Sequence, residues 1–253
     1  MPGYRATGID ASLSADGHAM KSLPAFVVCF LCLPLIPADA QTSRTPNVIV
    51  LLADDLGWTG LGCFGSDLYE TPHLDQMSRD GMTFTNGYAA CTVCSPTRAS
   101  VMTGMYPARL RVTDFIAGQN RPWAKLKIPN WTKYLKHETT TIAEALSSSG
   151  YVTAHVGKWH LDDKSGSVKD TGPKGRGFQI THGRPPGTKG YFLNEEYSRE
   201  TTDGSNFLTD YLTDRAIDVI DDNNDRPFFL YFAYNTPHTP IQGRKDLVKD
   251  FES

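Results

Sequence analysis

The chain has 253 residues, of which 40% are hydrophobic and 21% charged, a composition typical of a folded protein rather than a disordered or collagen-like one. Its 25 lysines and arginines against 28 aspartates and glutamates give a net charge of −3, so there is no electrostatic basis for nucleic-acid or anionic-membrane binding. The length suits one large α/β domain, and no internal repeat indicates a solenoid.

The first 40 residues have the pattern of an N-terminal extension followed by a secretory signal peptide. Lys21 precedes an apolar run at residues 23–36, and residues 38–40 (ADA) match the small-x-small pattern that signal peptidase reads. We therefore predict that Met20 is the true start and that cleavage precedes Gln41. Because the run is short and interrupted by proline, we expect no stable membrane span. The protein is expected to be exported to a periplasmic, secreted or lysosomal-type compartment, depending on the host.

Beyond residue 40, strand and helix patterns alternate along the chain. The predicted strands are residues 47–53, 82–88, 151–156 and 228–234, and the predicted helices are residues 71–79, 96–103, 141–150 and 208–220. The third helix carries a capping box at Thr141 and Glu144. Residues 161–206 are rich in glycine, proline and charge, which predicts a long surface excursion. The sequence thus predicts an α/β fold with a mostly parallel central sheet flanked by helices.

Charged or imidazole side chains follow three of the predicted strands. Asp54 and Asp55 follow the first, Lys158 and His160 follow the third, and His238 follows the last. In an open parallel sheet, the carboxyl ends of the strands share one edge, where ligands usually bind. Each motif alone also has an ordinary structural reading, as a turn, a solvated charge or a satisfied histidine. Together they predict one site.

Three cysteines remain after the predicted cleavage, namely Cys63, Cys91 and Cys94. An odd number in an exported protein suggests a functional thiol or an intermolecular partner. The C-x-x-C spacing of Cys91 and Cys94 is also seen in redox and zinc sites. Neither is favoured, since no further Cys or His stands at ligand spacing.

Residues 94–104, CSPTRASVMTG, resemble the signature of the type I, formylglycine-dependent sulfatases of the alkaline phosphatase superfamily. The resemblance runs from about Pro46 to Pro240, because the segments ETPHLD (70–75), GKWH (157–160) and TPH (236–238) follow in the family's order. Two positions depart from the family pattern. Met102 stands where leucine is usual, and Asp162 stands where glycine usually follows the GKWHL segment.

This resemblance implies an alkaline phosphatase/sulfatase-like fold and hydrolysis of aryl or carbohydrate sulfate esters. Cys94 would be oxidised by a formylglycine-generating enzyme to formylglycine, whose hydrated aldehyde attacks sulfur and then releases sulfate. Arg98 would hold this diol, and Lys158 would contact the diol and the sulfate. His160 would take the diol's proton, while His238 would bind sulfate and protonate the leaving oxygen.

The resemblance also implies a calcium or magnesium ion bound by Asp54, Asp55 and the group derived from Cys94. The implied partners are a sulfated small molecule or glycan and the formylglycine-generating enzyme. Because two neighbouring carboxylates repel each other without a cation, removing either is expected to affect folding little.

By the same comparison, residues 41–253 are expected to form an incomplete sulfatase catalytic domain that lacks the C-terminal subdomain and the rest of the metal site. The chain is then expected to be an inactive truncation. Two alternatives to a sulfatase stay open. One is a phosphonate or phosphodiester hydrolase of the same superfamily, and the other is a non-catalytic protein that binds sulfated glycans.

Overall fold

Four strands form one sheet in the order β1-β4-β2-β3 in the described part of the chain, and all neighbouring pairs are parallel. β1 spans Val48–Asp54, β2 Val152–Gly157, β3 Ile180–His182 and β4 Phe228–Pro237. This computed structural model describes residues 45–251, so the predicted signal peptide, Met20 and the cleavage site lie outside the described residues. The predicted α/β class with a mostly parallel sheet is confirmed.

Helices connect the strands. They are α1 (Pro72–Asp80), α2 (Cys94–Thr103), α3 (Pro107–Leu110), α4 (Ile142–Ser148), α5 (Glu195–Ser198), α6 (Leu208–Asp221) and α7 (Lys245–Lys249), with 3-10 turns at Trp58–Gly60, Gly62–Phe64 and Lys174–Arg176. The predicted capping box of α4 is confirmed, since Glu144 N donates to Thr141 Oγ1 at 3.0 Å and Thr141 N donates to Glu144 Oε2 at 2.8 Å. The three other predicted helices also form, within a few residues of their predicted ends.

Side chains alternate in direction along a strand, and in β4 both of the resulting faces are buried. Phe229 and Tyr231 belong to one core together with Met102 of α2. Phe228 and Leu230 belong to a second core, which contains the apolar face of α6. The chain therefore forms helical layers on both sides of the sheet. Because both faces of β4 are covered, its sequence is an uninterrupted apolar run.

β1 differs from the buried strand that its apolar run predicts. It has β4 as its neighbour and lies at the edge of the sheet, where Ile49 and Leu51 are about half exposed. The physical reason is that α6, the helix on this side of the sheet, packs on the two central strands β4 and β2. Val48, Val50 and Leu52 point the other way and pack against the first core.

The predicted strand at residues 82–88 is wrong. These residues are irregular and pair with no described strand, and Met82, Phe84 and Tyr88 are exposed. Gly81 and the Asn86-Gly87 pair interrupt the segment, so its alternation of apolar residues is not supported by a partner strand.

The prediction of a surface excursion over residues 161–206 is also wrong in part. The segment supplies β3, and Phe178 and Arg176 are buried. The Arg176 guanidinium donates to the carbonyl oxygens of Leu135 (2.7 Å) and Thr139 (2.6 Å) and to Glu144 Oε1 at 3.0 Å. The charge of Arg176 predicted an exposed side chain, but these acceptors pair with its guanidinium inside the protein.

Among residues 45–251, none of the helices has the length and apolar character needed to cross a bilayer.

Candidate active site

A pocket of about 320 Å³ lies where β1 ends and α2 begins. Asp54 and Asp55 from the end of β1 line it, together with Cys94 and Arg98 from the first turns of α2. α2 begins at Cys94 rather than at the predicted Pro96, since Val93 is extended and acts as the N-cap residue. Cys94 is therefore the first helical residue, where backbone N–H groups and the positive end of the helix dipole favour an anion.

Asp54 lies between two cations. Arg98 Nη2 donates to its Oδ1 at 2.9 Å, Lys158 Nζ makes a short contact with its Oδ2, and its side chain is only 4% exposed. Burial by itself would raise the pKa of Asp54, but the two cations outweigh burial and lower that pKa below its usual value. The carboxylate is thus ionised and ties α2 to the end of β2.

Arg98 is fully enclosed, at 2% exposure. Besides Asp54, it donates from Nη1 to the carbonyl oxygen of Lys158 at 3.0 Å and to Tyr231 Oη at 3.3 Å. Its guanidinium therefore links the carboxyl ends of β1 and β2 to the interior of β4.

Lys158 reaches the pocket because the chain turns sharply after β2. Gly157 has φ +101°, and a Cβ atom at this position would lie 1.9 Å from the carbonyl oxygen of Ala233. The next amide, Lys158 N, donates to that same oxygen at 2.8 Å. Only glycine fits this close approach, and it directs Lys158 toward Asp54.

Cys94 is not a reactive thiolate in this environment. Burial raises the pKa of its thiol, and the nearby Asp54 and Asp55 raise it further, against opposing effects of Lys158 and Arg98. A thiol that stays protonated at neutral pH is a poor nucleophile.

His160 is fixed by the loop that follows α3. Its Nε2–H donates to the carbonyl oxygen of Ile116, which leaves Nδ1 buried without a hydrogen-bond partner. Ser95 Oγ donates to the carbonyl oxygen of His160 at 2.8 Å and accepts from Ile116 N at 3.1 Å. Burial lowers the pKa of His160, so the ring is neutral at pH 7 with a free lone pair at Nδ1.

His238 follows β4. Its Nδ1–H donates to the carbonyl oxygen of Thr239 at 2.6 Å, and its Nε2 lies 3.7 Å from Asp55 Oδ2. Tyr191 Oη contacts the carbonyl oxygens of Asn235 at 2.7 Å and His238 at 2.6 Å. Tyr191 thereby holds the turn that carries the imidazole.

A divalent cation fits between three of these side chains. Potential ligand atoms of Asp54, Cys94 and His238 all lie within 4.8 Å of one another. Asp54 uses one site on each carboxylate oxygen for Arg98 and Lys158, and a carboxylate offers about four lone-pair sites, so it can still bind an ion. Asp55, which the sequence predicted as a ligand, lies beside His238 but outside this group of three.

The structure gathers most of the residues that the sequence singled out. The pocket and its direct partners contain Asp54, Asp55, Cys94, Arg98, Lys158 and His238. His160 lines the adjacent cavity, which it shares with Lys158. Four groups that the sequence analysis missed support these residues, namely Tyr231, Tyr191, Ser95 and the backbone of Ile116. Of these, only Ser95 stands inside a recognisable motif.

Comparisons with known proteins agree with this arrangement. The family model described as Sulfatase matches residues 46–253. The chain is 33% identical over 225 residues to an arylsulfatase of Hemicentrotus pulcherrimus, which covers 80% of this chain and 39% of the relative. It is 31% identical over 257 residues to an N-acetylgalactosamine-6-sulfatase of Rattus norvegicus, covering 93% of this chain and 47% of the relative.

A crystal structure of Ps i-CgsB in complex with k-i-k-neocarrahexaose is similar in fold. The TM-score is 0.65 and the sequence identity 29%, over 82% of this chain and 49% of the solved one. The chain thus spans less than half the length of each of these three proteins.

Proposed function

The chain belongs to the sulfatase family, and from this premise we propose that its pocket hydrolyses aryl or carbohydrate sulfate esters with a nucleophile derived from Cys94. The observation that carries the proposal is the position of Cys94. It stands at the first residue of α2, in a pocket that also holds Asp54, Asp55 and Arg98, with Lys158 on Asp54.

Conversion of Cys94 to formylglycine would resolve the weakness of the unmodified thiol. The pKa of the thiol is raised by burial, whereas the hydrated aldehyde offers hydroxyl groups. After transfer of the sulfo group, the second hydroxyl can expel sulfate by restoring the aldehyde, an exit that a sulfur nucleophile lacks. This supports formylglycine as the working form of residue 94.

His160 and His238 suit the two proton transfers. His160 is neutral because burial lowers its pKa, and Nδ1 has a free lone pair to accept a proton from the diol. His238 commits Nδ1–H to Thr239, so Nε2 is the atom left to bind sulfate and, when protonated, to donate to the leaving oxygen. Lys158 and Arg98 supply fixed positive charge for the anionic transition state.

Asp54, Asp55 and the converted residue 94 would hold a calcium or magnesium ion, which leaves His238 for the sulfate and the leaving oxygen. When bound, such an ion lowers the pKa of a hydroxyl group and polarises a sulfate oxygen. The proposed partners are a sulfated small molecule or glycan and a formylglycine-generating enzyme, and the proposed location is an exported compartment.

A single-turnover assay tests the proposal. The chain is co-expressed with a formylglycine-generating enzyme and used in excess over 4-nitrophenyl sulfate or the diester bis(4-nitrophenyl) phosphate, with calcium present. The resemblance alone led us to expect an inactive chain, but the pocket already brings residue 94 together with Arg98 and Lys158. We therefore propose that the parent releases nitrophenol from the sulfate ester in a single turnover and that Cys94→Ala releases none. Preference for the phosphate ester would instead favour a phosphodiester or phosphonate hydrolase. Binding of sulfated glycans without release by the converted protein would favour a non-catalytic role.

A further inference from the structure

A second cavity, of about 430 Å³, lies beside the active site at the carboxyl ends of β2, β3 and β4. We call it the lateral cavity. It shares Lys158 and His160 with the site, and its remaining wall includes His155, Asn235 and Arg184. A molecule held by its sulfate at Lys158 can therefore extend into this space.

Buried polar atoms without partners are concentrated at the lateral cavity. Among residues 45–251, six buried side-chain nitrogen or oxygen atoms have no hydrogen-bond partner, and four of them belong to residues that line it. They are His155 Nδ1, His155 Nε2, His160 Nδ1 and Asn235 Oδ1. Native proteins rarely leave such atoms unpaired, because each has lost its bonds to water.

His155 is the most enclosed of these residues, at 2% exposure, and the backbone of Lys158 lies within hydrogen-bonding reach of its ring. Trp159, Phe178 and Tyr231 surround the ring at centroid distances of 5.6–5.8 Å. A purely structural residue at this position could be apolar. Its imidazole instead offers one donor, which the backbone of Lys158 can accept, and one acceptor, and the Asn235 amide oxygen offers another acceptor. This combination matches the hydroxyl groups of a sugar.

The rim of the cavity carries one cation without a carboxylate partner. Lys164 is paired with Asp162 at 2.8 Å. Arg184 donates from Nη2 to the carbonyl oxygen of Thr188 at 2.9 Å, and no described carboxylate lies within ion-pair distance of it. The rest of its fork-shaped guanidinium is free to bind a carboxylate or sulfate through two parallel hydrogen bonds.

We propose that the lateral cavity is a subsite for an anionic sugar residue of the substrate. His155 and Asn235 recognise its hydroxyl groups, and Arg184 recognises a carboxylate or second sulfate. This inference rests on the proposed function, because the sugar is placed by the sulfate ester that Lys158 holds.

Binding measurements by calorimetry test the subsite without requiring turnover. The probes are 4-nitrophenyl sulfate, N-acetylgalactosamine 6-sulfate, and the disaccharide of that sugar with glucuronate. The disaccharide is expected to bind about tenfold more tightly than the monosaccharide. Arg184→Gln should remove this advantage and leave the affinity for 4-nitrophenyl sulfate unchanged. Lys174→Gln, which removes an exposed cation outside the cavity, is the matched control and should change neither affinity.

Asn235→Leu provides a second test, since it keeps the volume and removes the unpaired amide oxygen. It should weaken binding of both sugars severalfold and leave both the affinity for 4-nitrophenyl sulfate and the urea midpoint at least as high as in the parent. Equal losses for all three probes, or no loss for the sugars, would overturn the subsite. If 4-nitrophenyl sulfate alone fails to bind while the disaccharide shows dependence on Arg184, the proposed function fails and the subsite stands.

Discussion

Asp54 has a structural role as well as a place in the proposed metal site. The sequence led us to expect that its removal would affect folding little, but the structure shows it neutralising two enclosed cations, Arg98 and Lys158. Removing one member of a buried charge network leaves the others unpaired, which costs about 3–5 kcal/mol. Asp55 has no such role, because its side chain is half exposed.

We therefore predict that Asp54→Asn lowers the free energy of unfolding by about 3 kcal/mol. Asp55→Asn, the matched control, should lower it by less than about 0.5 kcal/mol. Urea unfolding at pH 7 without added metal measures both. Similar small losses would mean that the ion pairs of Asp54 contribute little to folding.

His155 predicts a dependence of stability on acid. Burial lowers its pKa from 6.5 to about 4 in the folded state. Above pH 6.5 the ring is neutral in both states, so the folded state keeps its full stability. As the pH falls from about 6.5 to about 4, the unfolded chain takes up a proton that the folded protein refuses, and about 3 kcal/mol of stability is lost.

His155→Phe lacks this titration. The free energy of unfolding of the parent minus that of His155→Phe should therefore be about 3 kcal/mol smaller at pH 4 than at pH 7. Substitution of the buried Met102 by leucine, which removes no titratable group, should change the free energy of unfolding by the same amount at every pH in this range. A constant difference between parent and His155→Phe across this range would show that His155 titrates normally.

Several site residues could be predicted from the sequence because each closes an apolar strand or begins a helix. Asp54, Lys158 and His238 are of this kind, and parallel topology then brings them to one edge. The supporting groups could not be predicted in this way. Tyr191 and Ile116 act through contacts with residues more than 40 positions away in the chain, and no local pattern specifies such contacts.

At the scale of elements, the end of β2 depends on one glycine. Gly157→Ala would place a methyl group 1.9 Å from the carbonyl oxygen of Ala233, in addition to the strain of its positive φ. Gly150 also has a positive φ, of +87°, but a Cβ atom there meets nothing within 4 Å. A comparison of alanine substitutions at these two glycines therefore separates the effect of backbone strain from that of steric clash.

We predict that Gly150→Ala lowers the free energy of unfolding by about 1 kcal/mol through backbone strain, and that Gly157→Ala lowers it by at least twice as much. Urea midpoints measure both effects. Equal losses would contradict the close approach of β2 and β4 that directs Lys158 into the site.

The type of an element could be predicted from the sequence where the periodicity of its apolar residues matches the burial of its side chains. β2, β4, α4 and α6 were identified because their apolar periodicity agrees with the two cores that they build. The pattern at residues 82–88 has the same appearance without a partner strand, and β1 lies at an edge. Pairing and strand order are long-range properties, which the local sequence does not encode.

At the scale of the molecule, large apolar side chains are exposed in several regions. They include Tyr88 at 87%, Leu126 at 85%, and also Trp123, Phe84 and Ile241. Exposed apolar surface favours association. We predict that the chain self-associates with increasing concentration, as measured by size-exclusion chromatography with light scattering. Replacing Phe84 and Tyr88 together by serine should reduce the association, and a monodisperse parent at all concentrations would refute this prediction.

The identity of residue 94 is the most direct test of the whole account. The chain is co-expressed with a formylglycine-generating enzyme, digested, and analysed by mass spectrometry, with Cys63 and Cys91 as internal controls. We predict that residue 94 loses its sulfur and gains an aldehyde that reacts with a hydrazide probe, while Cys63 and Cys91 keep their thiols. An intact thiol at Cys94, or an aldehyde at Cys91 in its place, would contradict the proposal that this pocket is a sulfatase active site.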